Sequence, residues 1–359
     1  MNEQLLDKAN KIREGEELDE ANLLRYLQHE LEKPPFAISV KQFPSGFSNL
    51  TYLITASDDK EYVLRRPPFG ANIKSAHDMG REFKVLSLLK PHFNKVPNPI
   101  NYCEEDDVLG SPFYIMERVK GLILRDKIPE GINLSPDRVT QLSKRKIEQL
   151  AHLHNLDLDK TGLAGLGKPE GYIERQVEGW INRYYKAETD KIPAMDELAD
   201  WMRANKPNST KAAFIHNDYK YDNLVLNPET LDIVAILDWE MATVGHPLMD
   251  LGTTLGYWAE ANDLDILKPF NLTWLPGNLN RQQVVEHYAS VSNHEIEDML
   301  FYYVFGVFKI GVIGQQIYAR FKKGLTNDPR FGVLIHLVKA SAQNGVKALE
   351  LNRISNLND

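Results

Sequence analysis

Apolar residues change their spacing about a third of the way along this chain, and the change divides it. Between residues 17 and 32, Leu23, Leu24, Leu27 and Leu31 recur at helical intervals. Pro34-Pro35 ends that run, because proline lacks an N–H and restricts the residue before it. Strand patterns follow. Phe36–Phe43 alternates, Leu50–Thr55 is rich in β-formers, and the turn Ser57-Asp58-Asp59-Lys60 leads into Tyr62–Arg65. A helix is expected over 74–90 on the apolar face Phe83, Leu86, Leu88 and Leu89, then strands near 99–104 and 112–119 around a turn at Asp106-Asp107…Gly110. Strands, one helix and strands again within this length predict an α+β lobe with an antiparallel sheet.

From residue 135 the period becomes helical. Ser135-Pro136-Asp137 supplies an N-cap, a first-turn proline and an acid suited to the helix dipole, and the helix is predicted to run to His154. Further helices are expected near 171–188, 192–205, 246–262, 281–290, 294–322 and 329–351, with Ser292…Glu295 as a capping box. Val119-Lys120-Gly121 is the natural crossover, giving lobes over 1–119 and 120–359. The apolar run Phe301–Phe308 meets Lys309 well short of the ~20 residues a membrane-spanning helix needs, so it reads as buried.

A chain of 359 residues exceeds one ordinary core, in keeping with two lobes. Forty-two Lys and Arg against 50 Asp and Glu give a net charge of −8 and no basic stripe, which argues against nucleic acid as a partner. The single cysteine, Cys103, can form neither an internal disulfide nor a cysteine-pair metal site. The charged N-terminus does not resemble a signal peptide, and a cytoplasmic location away from the membrane is expected.

The chemistry concentrates in F-I-H-N-D-Y-K-Y-D-N-L-V-L (214–226) and I-L-D-W-E (236–240). Asp218 precedes Asn223 by five residues between apolar runs, and Asp238 ends another apolar stretch. Phosphoryl transfer needs such a set: a carboxylate to orient a hydroxyl, and an amide oxygen with a second carboxylate to hold Mg²⁺ on a triphosphate. The Asp-x4-Asn spacing is common by chance, so its neighbours give it weight. His216 has no second His or Cys at ligand spacing and reads as structural. A metal-dependent hydrolase built on His216, Asp218 and Asp238 would lack the further ligands that two-metal hydrolases use.

H-N-D-Y-K-Y-D-N (216–223) resembles the catalytic loop of the aminoglycoside phosphotransferase and choline-kinase-like family. I-L-D-W-E is similar to that family's metal-binding segment, and G-H-P-L-M-D-L-G (245–252) to its G-D-P-x-x-D-L segment. The likeness extends through F-P-S-G-F-S-N-L-T-Y (43–52), Y-V-L-R-R-P-P (62–68), S-A-H-D-M-G-R-E-F (75–83) and R-Q-V-E-G-W-I-N-R-Y (175–184). In these it looks like the subgroup that also occurs fused in front of acyl-CoA dehydrogenases. The resemblance implies a two-lobed, protein-kinase-like α+β fold and an ATP- and Mg²⁺-dependent small-molecule kinase.

By that likeness Asp218 would be the catalytic base, with Asn223 and Asp238 holding Mg²⁺. Ser45, Gly46, Ser48 and Asn49 would belong to the hairpin covering the phosphates. Arg65 stands where protein kinases carry the strand lysine, with Glu82 as its helix partner; whether Arg65 or Arg66 meets the phosphates stays open. The adenine would meet the backbone around Glu117–Val119, and Asp250 would bond backbone N–H groups of the catalytic loop. The acceptor is expected to be an apolar or anionic hydroxyl compound such as a hydroxyacyl-CoA rather than an aminoglycoside. Arg175, Trp180, Arg183, Tyr184, Trp258, Tyr302, Gln315, Tyr318 and Arg320 are its candidate liners, and they include cations and no acidic cluster. An acyl-CoA dehydrogenase is a candidate functional partner. The alternative from another class is a nucleotide-binding pseudokinase without turnover.

Overall fold

The computed structural model describes residues 5–44, 49–69, 78–326 and 328–359, and its contacts divide the chain into two units. The first comprises 1–122 with 225–240, and the second 123–224 with 241–359.

In the first unit α1 (Glu20–Glu30) is followed by β1 (Ile38–Gln42), β2 (Leu50–Ala56), β3 (Glu61–Arg66), α2 (Met79–Leu89), β4 (Pro99–Cys103), the single-turn α3 (Asp106–Leu109) and β5 (Phe113–Glu117). The strands form one antiparallel sheet in the order β1-β2-β3-β5-β4. Pairing of Tyr52 with Leu64 and of Leu64 with Ile115 stacks large apolar side chains on one face. There they join Leu23 and Leu27 of α1 and Phe113 in a fully buried core. Each such side chain contributes roughly 1.5–3 kcal/mol on burial. Asp19 caps α1 by accepting the Asn22 amide, and Asp78 does the same for Arg81 at α2. The turn expected near 106–110 is wound into α3 and closed by left-handed Gly110.

Successive strand residues face opposite sides of a sheet. Arg65 therefore leaves β3 on the face opposite Leu64, the side where α2 carries Glu82. Arg66 turns the other way, giving its guanidinium to the Leu109 carbonyl at 2.9 Å and lying 3.8 Å over the Phe69 ring.

The second unit is mostly helical. It contains α4 (Pro136–His154), the short α5 (Leu158–Thr161), α6 (Tyr172–Ala187), α7 (Pro193–Asn205) and the strand β6 (Ala213–Ile215). β7 (Leu224–Leu226) and β8 (Ile233–Ile236) make a small two-stranded sheet, and most of that stretch groups with the first unit. β9 (Thr243–Gly245), α8 (Pro247–Gly256), α9 (Arg281–Val291), α10 (Met299–Lys322) and α11 (Leu334–Leu351) complete the second unit. α10 lies at its centre, packed on α6, α7, α8 and α11. It is 24 residues long, within the helix expected over 294–322, and among the described residues it alone has the length and apolar character to cross a membrane. In this fold 78% of its most apolar window is buried against protein.

Two capping expectations resolve differently. Ser135 stands at the N-cap of α4 without a side-chain bond. Ser292 ends α9 rather than starting α10, which begins after left-handed Asp298. A capping box does form at α9, where Asn280 and Gln283 exchange bonds with each other's backbone.

Candidate active site

The antiparallel pairing of β6 with β9, from Ala213 opposite Gly245 to Ile215 opposite Thr243, sets the chain leaving β6 beside the first turn of α8. That turn carries Asp250, a fully buried carboxylate. Its Oδ2 accepts the His216 backbone N–H at 2.7 Å, and its Oδ1 accepts the Asn217 N–H at 2.7 Å. His154 of α4 lies against Oδ2 through Nε2 at 3.1 Å, while its Nδ1 meets the Tyr288 hydroxyl at 2.7 Å. Burial opposes ionisation of Asp250, but the His154 contact and the loop N–H groups more than offset it and hold its carboxyl below the usual range.

Asp250 thus fixes the start of the loop, and Asn217 takes a left-handed conformation with φ of 67°. Two more contacts secure it: the Asn217 amide donates to the Met241 carbonyl at 3.0 Å, and the buried Lys309 ammonium donates to the Asn217 carbonyl at 2.8 Å. Asp218 follows. Its backbone N–H goes to His216 Nδ1 at 3.2 Å, so that ring is an acceptor within the loop. The Asn223 side-chain amide donates to both the Asp218 carbonyl (2.8 Å) and Asp218 Oδ2 (3.0 Å). Lys220 Nζ stands 3.2 Å from Asp218 Oδ2 and 3.6 Å from Asp222. Burial would raise the Asp218 carboxyl, yet Lys220, His216 and Lys309 hold it below the ordinary aspartate value, an acceptor ready for a proton-bearing hydroxyl.

Beneath this loop Lys146 of α4 is fully buried, and among the described residues its Nζ has no hydrogen-bond partner. It lies 4.5 Å from the Tyr221 ring centre, 4.6 Å from Trp258 and 5.7 Å from Tyr219. Burial pulls its ammonium down to about 7, and the same holds at Lys309, down to about 8.

In the first unit the D-W-E segment is pinned residue by residue. Asp238 has φ of 67° and accepts from Arg65 Nη2 at 3.0 Å. Arg65 Nη1 meets Glu82 Oε1 at 2.5 Å, and the Trp239 N–H donates to that same oxygen at 3.2 Å. Trp239 gives its indole N–H to the Ile236 carbonyl, and its ring meets Phe93 edge-on. Glu240 accepts from the Asn49 amide at 2.8 Å and lies 3.9 Å from Arg65. Burial pushes the Glu82 carboxyl up against the pull of Arg65, while its carboxylate neighbours keep the Arg65 guanidinium firmly charged.

The structure thus brings Asn49, Arg65, Glu82 and Asp238 together in one unit, and Asp218 with Asn223 in the other. Glu117 ends β5, and the Val119 N–H beyond it has no protein acceptor among the described residues. Ser45, Gly46 and Ser48 lie outside the described residues. Several proposed acceptor liners are engaged elsewhere. Arg175 caps the backbone carbonyls of Lys168 and Glu170, and Gln315 holds Ala187 and Thr189. Tyr302 stacks on His246, and Trp258 belongs to the Lys146 cage. Trp180 carries two cations, Arg183 at 4.6 Å and Lys309 at 5.4 Å from its ring centre, and the same Lys309 holds the Asn217 carbonyl next to Asp218. Sequence reasoning passed over Lys220, although it sits inside the motif, and over Lys146, Lys309 and the role of His154. No local signal marks a lysine on a helix for burial beside a distant loop.

The sequence profile of the phosphotransferase enzyme family matches residues 39–284. The chain belongs to that family. It is 34% identical over 350 residues to the chicken protein acyl-CoA dehydrogenase family member 11, covering 94% of this chain and 44% of that one. The chain therefore spans less than half the length of this relative. Among solved structures, a Ralstonia eutropha protein assigned to the aminoglycoside phosphotransferases superposes with a TM-score of 0.76 at 29% identity, over 92% of this chain and 99% of its own. Choline kinase from Cryptosporidium parvum superposes at 0.57 and 16% identity, over 93% and 99%, and shares the protein-kinase-like fold. Family and fold agree with the likeness read from the catalytic-loop and D-W-E motifs.

ATP and Mg²⁺ are what such a family implies, and the donor chemistry fits them. Asn223 spends its N–H groups on Asp218, and among the described residues its amide oxygen meets no protein donor. Asp238 meets Arg65 through Oδ1, and among the described residues its Oδ2 meets no donor. Neutral amide and carboxylate oxygens suit a hard cation that takes its other ligands from phosphate and water. Among the described residues no three His, Cys, Asp or Glu side chains gather as a metal cage.

Proposed function

We propose that this protein transfers the γ-phosphoryl group of ATP, with Mg²⁺, to a hydroxyl group of a small molecule. The observation that carries the reading is the Asp218 loop, a carboxylate kept ionised by Lys220 and Lys309 and oriented by Asn223, in a chain of the phosphotransferase family. Asp218 orients the acceptor hydroxyl and takes its proton as the new P–O bond forms. Lys220, 3.2 Å from that carboxylate, balances the charge that gathers there. Asn223 and Asp238 would hold the metal ion, which when bound neutralises the phosphate oxygens. Arg65, fixed by Glu82, keeps Asp238 oriented for this, and the backbone at Glu117–Val119 takes the adenine.

The acceptor is an anionic or apolar hydroxyl compound, and a hydroxyacyl-CoA fits best. Support comes from Arg183 and Lys309 over the Trp180 ring, with Lys309 also bonded to the catalytic loop at Asn217, where an aminoglycoside's ammonium groups would be repelled. The name of the chicken relative points the same way, toward acyl-CoA chemistry and a dehydrogenase as functional partner. ADP release from Mg·ATP across hydroxyacyl-CoAs, amino alcohols, sugars and aminoglycosides, with Asp218→Asn beside the parent, tests the proposal. An acceptor-dependent signal abolished in the variant is the expected result. Undiminished turnover by the variant would remove Asp218 from the mechanism. Binding of Mg·ATP with no turnover on any acceptor would favour a nucleotide-binding role without catalysis.

A further inference from the structure

Asp238, Trp239 and Glu240 are each held by a different element of the first unit. Arg65 of β3 holds Asp238, Glu82 of α2 holds the Trp239 N–H, and Asn49, at the head of β2, holds Glu240. The first two contacts act on the metal aspartate and the backbone next to it. The third reaches Asn49, the last residue of the 45–49 segment that carries the likeness to a phosphate-covering hairpin. Asn49 is 1% exposed, so its amide is committed to the interior rather than presented to solvent. Its donor meets the Glu240 carboxylate at 2.8 Å, a charge-assisted bond within a partly buried cluster. Glu240 itself is 21% exposed and also lies 3.9 Å from the Arg65 guanidinium that grips Asp238.

We infer that Glu240 and Asn49 are positioning residues that couple metal binding to nucleotide binding. The inference deepens the phosphotransferase reading and rests on it. Asn49 acts through Glu240 instead of touching phosphate, and Glu240 acts through Arg65 and Asp238 instead of ligating the metal. The head of β2 and the metal loop then move as one piece, so the affinity for a metal-bearing nucleotide exceeds what either part would give alone. A side chain long enough to reach both an amide on β2 and a guanidinium on β3 must carry acceptor oxygens at its end.

The test is a double-mutant cycle on the full chain, read by calorimetric titration with Mg·ADP and, in EDTA, with metal-free ADP. Asn49→Ala and Glu240→Ala should each weaken Mg·ADP by about tenfold, and the double variant should lose far less than the roughly hundredfold product, because the two changes share the Asn49–Glu240 contact. Metal-free ADP should change less than about threefold in all of them. Glu240→Gln, which keeps an acceptor oxygen for Asn49, should stay within about threefold of the parent for Mg·ADP. Thermal unfolding of each variant identifies any that fails to fold, and Glu240→Gln remains informative if an alanine variant does. Multiplying losses in the double variant, or equal losses with and without metal, would overturn the coupling and leave the phosphotransferase reading intact. Failure of the parent protein itself to bind Mg·ADP would overturn both.

Discussion

Replacing Gly306 with alanine places two large effects in opposition. An alanine inside a helix normally gains about 1 kcal/mol over glycine. At Gly306, however, a Cβ would lie 1.9 Å from the Gly252 carbonyl oxygen and 2.6 Å from its carbon. The reciprocal positions are equally tight, since a Cβ on Gly252 would meet the Tyr302 carbonyl oxygen at 2.1 Å. These atoms are backbone on both sides, so no side chain can rotate away, and α8 and α10 must separate by about 1 Å or more. Overpacking of this kind costs about 1–3 kcal/mol where the surroundings can yield, and more where they cannot. α10 is gripped from the other sides by α6, α7 and α11, so the higher end applies. The expected net loss is about 2 kcal/mol, or roughly 4–8 °C in the melting temperature of a unit this size. Asp250 lies only two residues before Gly252 on α8, so displacement of that helix also disturbs the His216 and Asn217 bonds, and turnover should fall further than stability alone requires. Thermal and urea unfolding of Gly306→Ala beside the parent measure the first effect, and ADP release the second. An unchanged or higher melting temperature would refute the close-packing argument, because helix propensity would then have prevailed.

Lys146→Met tests the buried cation. Because the folded ammonium sits at about 7 and the unfolded one near 10.5, the folded state binds fewer protons across that window, and the stability of the parent rises with pH through it. The penalty is fully present below about pH 7, so the methionine variant should gain up to about 5 kcal/mol relative to the parent there, with the gain vanishing by about pH 10. Urea titrations at several pH values decide it, and a difference independent of pH would contradict the burial. Asp250→Asn keeps one acceptor oxygen for two loop N–H groups, and should cost about 3 kcal/mol and at least about 100-fold in turnover; near-normal kinetics would show that the loop holds itself. Arg65→Lys substitutes a single ammonium for a fork spanning Glu82 and Asp238, and should weaken Mg·ADP by about tenfold in calorimetry, with an unchanged affinity counting against the fork.

Much of this was legible in the chain. Alternation and turn residues located the antiparallel sheet, and the 216–223 and 236–240 segments carried the likeness to the phosphotransferase family that the profile match shows. Asp250 was expected to bond the loop backbone, and it does so with both oxygens. Three things stayed hidden. The capping box belonged to Asn280 rather than Ser292, because both sites carry acceptable caps and tertiary packing chose between them. The grouping of 225–240 with the first unit follows from contacts far apart in sequence, such as the Ile236 N–H on the Lys95 carbonyl. The lysines at 146 and 309 look like surface residues in any local pattern, since burial of a charge depends on distant rings and carbonyls.

Asp250 has a consequence for how the loop breathes. The amides of His216 and Asn217 sit outside any helix or strand, where hydrogen exchange is ordinarily fast. Their acceptor is a carboxylate at the buried start of α8, so releasing them requires opening α8 from α10. These two amides should therefore exchange with the slow core of the second unit, by sub-global rather than local opening. A loop by geometry thus behaves as core by exchange, and denaturants should not silence the site before that unit comes apart.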